Sequence, residues 1–226
     1  MLNFRILSIV LPLLFISIFI SFNANAQFYL PVGPQTNVPV DTVTGGGWTE
    51  CFRDTYGEHL DPNTVLSQCT GSKLMLSCRP TGSSTLTLLA QGDRSDVTFD
   101  TGQNKDVLHV ANGVGWYFNF TGGSSEDGNS WGFVRAGDSV NKVNCDIDSS
   151  GANDERLCWH LQDGAGGYRC GATQDIFDDS YERIVYTLSL QTSRPIPTLS
   201  EWGLIAMSGI LGIAGSMVIR RRKVAA

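Results

Sequence analysis

Apolar residues run unbroken at the two ends of this chain and alternate with polar ones in between. Ile6 to about Phe22 and Trp202 to Ile219 are the two long runs. Between them, short stretches of β-branched and aromatic residues alternate with polar positions. Period-two alternation places one set of side chains on a covered face, the signature of a half-buried strand. It predicts strands at Gly47–Phe52, Lys73–Cys78, Thr85–Ala90, Asp96–Phe99, Val107–Val110, Gly115–Phe120, Trp131–Arg135, Leu157–Leu161 and Arg183–Leu190. Clusters such as Thr81-Gly82-Ser83-Ser84 and Gln91-Gly92-Asp93-Arg94, and the loop Thr121–Ser130, punctuate them. No stretch of the body sustains a helical apolar stripe over three turns. The expected class is therefore all-β: an antiparallel, sandwich-like ectodomain over 45–190. Residues 27–44, with Pro31, Pro34 and Pro39, are expected as an extended leader, and 191–203 as an exit linker.

The two apolar runs differ in their flanks. The first follows a single cation, Arg5, and closes on Ala24-Asn25-Ala26, the small-x-small pattern that a signal peptidase reads. Residues 1–26 are therefore expected to be a signal peptide cut before Gln27; an uncleaved anchor is the alternative. The second run has 18 residues without a charge, a helix roughly 27 Å long, just enough for a hydrocarbon core. Arg220, Arg221, Arg222 and Lys223 follow at once. Four cations are costly to translocate, so residues 220–226 are expected in the cytoplasm, below a transmembrane helix over 204–219. Ser208, Gly212 and Ser216 form a small-residue stripe on which another membrane helix could pack.

Charge and cysteine change the picture of the middle. The formal net charge of −6 hides an asymmetry, since residues 27–195 hold 11 Lys and Arg against 21 Asp and Glu. Such a body repels phosphate backbones, so no nucleic-acid partner is expected. Cys51, Cys69, Cys78, Cys145, Cys158 and Cys170 form an even set in an exported chain, which reads as three disulfides. Sequence leaves the pairing open; spacing favours Cys51–Cys69 as a loop staple, Cys158–Cys170 across a hairpin and Cys78–Cys145 as a long tie. Zinc is not expected, because no CxxC pair occurs and the histidines are scattered.

Between the body and the second run stands Ile196-Pro197-Thr198-Leu199-Ser200-Glu201-Trp202-Gly203. Pro197 fixes its own φ and pushes Ile196 away from helix, so this peptide should be extended. Trp202 suits the membrane interface. Motif, helix and basic cluster together resemble the IPTL-CTERM sorting signals of Gram-negative bacteria. Ile196, Pro197, Thr198 and Leu199 match the motif, and Trp202 and Gly203 its usual continuation. The resemblance implies processing by an exosortase, a multipass cysteine transpeptidase of the inner membrane, and association with biofilm or exopolysaccharide. In the body, "GGGWTECFRDTYG", "KLMLSCRPTGSSTLTLLA" and "ANGVGWYFNF" resemble a recurring module of secreted microbial proteins that has no assigned activity.

Candidate chemistry in the body is sparse. The chain has no GxSxG elbow, HExxH helix or Walker loop. Of its histidines, His109 and His160 fall in predicted strands, and His59, beside Glu58 and near Asp54, is the best acid–base candidate. In "CDIDSSGANDE", Asp146, Asp148, Ser150 and Asp154 stand where an EF-hand-like loop would ligate calcium, with Gly151 at its turn. Leu157 stands where the closing Glu belongs, so a solvated acidic turn is the competing reading. Trp48, Trp116, Tyr117, Trp131 and Trp159 could stack on sugars if exposed, or fill the sandwich core if buried. Alternation in "GVGWYFNF" sets Trp116 and Phe118 against Tyr117 and Asn119, so at most one set is expected in the core. The reading is of a binding or matrix module without catalytic residues or a cofactor, calcium excepted; a secreted hydrolase of polysaccharide is the alternative.

Overall fold

Alternating stretches do become strands, and the strands form two antiparallel sheets. The computed structural model describes residues 27–120, 129–143, 145–146, 153–161, 168–189, 203 and 205–211. The chain divides into two units, Met1–Ser189 and Leu190–Ala226. In the first unit, β1 (Gln35–Pro39), β2 (Thr49–Thr55), β3 (Lys73–Pro80), β4 (Thr85–Asp93) and β11 (Tyr181–Leu188) pair in the order β1-β4-β3-β11-β2. The second sheet contains β5 (His109–Ala111), β6 (Val114–Asn119), β7 (Ser130–Arg135), β8 (Leu157–His160), β9 (Arg169–Cys170) and β10 (Thr173–Gln174), in the order β10-β9-β8-β7-β6-β5. Three short helices, α1 (Val40–Gly45), α2 (Pro62–Gln68) and α3 (Arg94–Val97), fill the connections.

Two sequence-based expectations change here. The segment 27–44, expected as an extended leader, is built into the fold, and its last residues, from Val40, are helical in α1. Gln35–Pro39 pairs with β4, Val38 opposite Leu86, and Pro39 is tolerated because β1 is an edge strand. The expected strand Asp96–Phe99 does not form: Asp96 and Val97 end the helical turn α3, closed by Thr98 N–H donating to Arg94 O at 3.0 Å. Here the chain leaves one sheet for the other and must turn. The signal for α2 is local and was passed over: Asp61 accepts hydrogen bonds from Asn63 N (3.0 Å) and Thr64 N (3.2 Å), with Pro62 at the first helical position.

Facing strands of the two sheets enclose one apolar seam. Leu74 and Leu76 of β3, Leu88 and Ala90 of β4 and Val185 of β11 meet Trp116, Trp131, Phe133, Leu157 and Trp159 of β6–β8. Both outer faces are covered too. Val38, Trp48, Met75, Leu86, Ile184 and Tyr186 lie under α1 and the side chain of Tyr29. Tyr117, Val134 and Cys158 lie under Val140 and Cys145 of the 138–146 loop. Trp116 and Tyr117 are consequently both buried. The expectation that only one face of β6 is core was wrong, because a loop roofs the other face. Gly132 makes this layering possible: a Cβ there would stand 2.1 Å from Leu157 O and 2.6 Å from the Tyr117 hydroxyl.

Strand parity also decides the disulfides. All six cysteines pair, as Cys51–Cys69, Cys78–Cys170 and Cys145–Cys158. The first is the expected staple, tying β2 to the end of α2. The other two expected pairs are corrected. Leu157 lies opposite Cys170 and Cys158 opposite Arg169, so Cys158 and Cys170 sit on adjacent strands but on opposite faces. Cys170 points into the seam and meets Cys78 across it, with Cα atoms 5.8 Å apart. Cys158 points outward and meets Cys145 in the covering loop.

In the second unit, residues 205–211 are helical and exposed, with the Ser208 hydroxyl donating to Ile205 O at 2.8 Å. Among the described residues no helix is long and apolar enough to cross a membrane. Residues 1–26, the expected signal peptide, and most of the expected span, Ile196–Leu199, Trp202 and Arg220–Lys223 lie outside the described residues.

Loop-closure entropy ranks the disulfides, since the Cys78–Cys170 separation is 92 residues and the Cys51–Cys69 separation 18. Replacing Cys78 and Cys170 together by alanine is expected to cost about 2–5 kcal/mol in urea unfolding, more than replacing Cys51 and Cys69. An equal or smaller loss would mean the inter-sheet bond is not the principal tie.

Candidate functional site

The loop that suggested calcium is organised around a buried ion cluster. Cys145 and Asp146 adopt φ values of 46° and 64°, left-handed backbone that non-glycine residues enter at a cost. Asp146 N–H donates to Asn141 O at 2.7 Å, and its side chain turns inward to full burial. There Arg156 Nη1 donates to Asp146 Oδ2 at 2.6 Å, and Arg169 Nη1 stands 3.6 Å from the same oxygen. Arg156 also reaches Ser139 O at 2.9 Å and Asp138 at 3.4 Å. Burial pushes the Arg169 guanidinium below its ordinary range, and Asp146 opposes that shift. Asp146 thus holds two cationic side chains where the sequence pattern would place the first calcium ligand. Asp154 is exposed; Asp148 and Ser150 lie outside the described residues. Among the described residues no three His, Cys, Asp or Glu side chains converge as a metal site would require.

The three histidines stand in three unlike settings. His59 is exposed in the loop before α2. His109 on β5 faces Asp96 of α3, Nε2 to Oδ1 2.8 Å, and stacks on Phe99 with ring centroids 4.3 Å apart. His160 at the end of β8 is buried against Tyr168, which in turn meets the exposed ring of Phe177. Burial lowers the His160 pKa, partly offset by a hydrogen bond to the Val143 backbone. The Asp96–His109 pair lies 13 residues apart on two elements, so only the crossing of the chain between sheets brings it together. A carboxylate at that distance fixes the imidazole's orientation. No local pattern announces it.

Trp48, Trp116, Trp131 and Trp159 are all buried, so their stacking surfaces belong to the core. The indole nitrogens of Trp131 and Trp159 tie elements together, while that of Trp116 is buried without a hydrogen-bond partner among the described residues. Trp131 donates to Val97 O at 3.0 Å, and Trp159 donates to the Tyr56 hydroxyl, which donates to Arg169 O, each at 3.0 Å. Among the described residues the exposed aromatic rings are Phe28, Phe99 and Phe177.

Burial also sharpens the electrostatics. Arg79, Lys142, Arg156, Arg169 and Arg183 are buried, while Asp146 and Glu182 are the buried acids. Each of the five makes at least one hydrogen bond or ion pair inside, while Arg183 Nε and Nη1 are buried without a hydrogen-bond partner among the described residues. Arg79 binds Glu182, Arg183 donates to Glu58 O at 2.5 Å, and Lys142 donates to Thr101 Oγ1 at 2.9 Å and Gly102 O at 2.8 Å. Burial draws the Lys142 pKa down to about 8 against the pull of Asp100 and Asp106. The solvent therefore meets a surface more acidic than the composition suggests.

Comparison with known proteins singles out the tail. Residues 194–223 match the IPTL-CTERM motif, covering the sorting peptide, the apolar run and the basic cluster. No curated protein matches the chain, and neither does any solved structure. Of the motif residues, Gly203 is helical and exposed.

Removing one partner of a buried ion cluster leaves uncompensated charge. Asp146→Asn is expected to destabilise the fold by about 3–5 kcal/mol, a fall in Tm on the order of 10 °C. Because Asp146 is committed to arginines, millimolar calcium or EDTA is expected to leave the wild-type Tm unmoved; a calcium-dependent rise would restore the loop as a cation site.

Proposed function

We propose that this chain is an exported cell-envelope protein, held by its C-terminal segment until an exosortase-type transpeptidase processes the sorting peptide. Its β-rich body then serves as a binding or matrix module at the surface. One observation carries the first half: the IPTL-CTERM motif at residues 194–223, which implies export and a membrane-anchored precursor. Three disulfides support it, since they form in an oxidising compartment. The motif peptide Ile196–Leu199 is what the enzyme would grip, and Arg220–Lys223 would hold the inner-membrane orientation.

Support for a non-catalytic body is of a different kind. The three histidines lie on separate elements, and the described indole rings are spent on the seam and on the outer cluster around Trp48. The acidic exterior bears on the partner. Like charges repel across an interface, so an anionic polysaccharide is disfavoured and a neutral or cationic one is favoured.

Two measurements test the proposal. Replacing Pro197 and Thr198 by alanine is expected to leave most of the protein as an uncut, membrane-associated precursor, read by fractionation and intact mass. Normal processing of that variant would remove the sorting reading. Secreted wild-type protein passed over neutral, cationic and anionic polysaccharides is expected to be retained on one of the first two without new reducing ends. Release of reducing ends would replace the binding module with a hydrolase.

A further inference from the structure

The segment after Ala26 is drawn tightly onto the fold. Tyr29 N–H donates to Gly46 O at 3.0 Å, and Tyr29 O accepts the indole N–H of Trp48 at 2.6 Å. Pro31 O accepts from Gln91 Nε2 (2.8 Å) on one sheet and from Asn112 Nδ2 (3.0 Å) beside the other. Gly33 N–H donates to Asn112 O at 2.8 Å. The approach is close enough that a Cβ on Gly46 would stand 2.2 Å from Tyr29 Cβ, and one on Gly47 would stand 2.7 Å from the Phe28 ring. Residues 28–33 thus strap the two sheets together and close the cluster around Trp48. Gln27 is the last residue before the strap. It is exposed, and among the described residues no hydrogen bond holds its side chain.

Resting on the export reading above, we infer that Gln27 becomes the mature N-terminus and closes to a pyroglutamyl residue. The bond Ala26–Gln27 lies two residues outside the first anchored residue, so a peptidase can reach it without undoing the strap. The cut frees an α-amine placed to close a five-membered ring with its own carboxamide carbon. The amine nitrogen attacks Cδ, the new N–Cδ bond forms, and the Cδ–Nε2 bond breaks. Ammonia departs, taking up the proton that the amine loses. No electrons are transferred and no co-reactant enters. The lactam is neutral and offers no free amine, so peptidases that trim from a free N-terminus cannot start on the strap. That protection matters here because losing Tyr29 uncovers Trp48 and opens the outer cluster of the first sheet.

The test uses full-length protein exported by a Gram-negative host, collected from the envelope under acid to suppress late cyclisation. A synthetic linear peptide beginning at Gln27 is carried through the same work-up. Expected is an N-terminal peptide starting at residue 27, lighter by one ammonia than the linear form, while the added peptide keeps its full mass. The protein should also resist an aminopeptidase until a pyroglutamyl peptidase is supplied. A Gln27→Ser variant, still cut at Ala26, should keep a free amine and be trimmed into the strap with a lowered Tm. Gln27 found with a free amine, or a spiked peptide that cyclises equally, would overturn the lactam and leave the export reading standing. A chain that begins at Met1 or at another residue would overturn both.

Discussion

The rest of the first unit depends on the apolar seam between its two sheets. Trp116, Trp131 and Trp159 stand on one side, and Leu74, Leu76 and Leu88 on the other. Burying such side chains contributes on the order of 1.5–3 kcal/mol each, the largest favourable contribution a domain of this size has. The seam also sets parity. Once Leu74 and Trp116 face inward, every neighbour in the same strand has its side assigned. That is why Cys78 and Cys170 meet while Cys158 must find Cys145. The disulfides follow from the packing and then lock it.

Covering both outer faces has an electrostatic consequence. The covering loop of the second sheet brings arginines inside, and Asp146 is the carboxylate that makes Arg156 and Arg169 tolerable there. A charge withdrawn from water must be matched by partners. Arg79 with Glu182 repeats the arrangement on the first sheet. With so many cations inside, the outer surface is left to carboxylates. The partner chemistry proposed for the body rests on that separation of charge rather than on any cleft.

Parts of this were readable residue by residue. Lys73–Cys78 and Trp131–Arg135 are dense in apolar residues and lie within β3 and β7, where burial is continuous rather than alternating because both faces of each sheet are covered. Asp96–Phe99 alternates, yet α3 occupies its first half, since a chain crossing between sheets needs a turn more than it needs a paired strand. Gln35–Pro39 carried three-proline surroundings that hid an edge strand. The apparent calcium loop is instructive for the same reason. Asp146 had the right residue type at the right spacing, but which charges would share its pocket depended on how Arg156, just before β8, and Arg169 of β9 fold back over it.

The amino-acid sequence alone determined the all-β class of this protein and carries its sorting motif. Signals read by cellular machinery, such as the sorting motif at residues 194–223, act as linear peptides, and strand alternation is a local property. Only the tertiary structure decided which faces are covered, how Cys78, Cys145, Cys158 and Cys170 pair, and where Asp146, His109 and the tryptophans stand. Those outcomes are set by contacts between residues distant in sequence, and such contacts exist only once the two sheets have closed on each other.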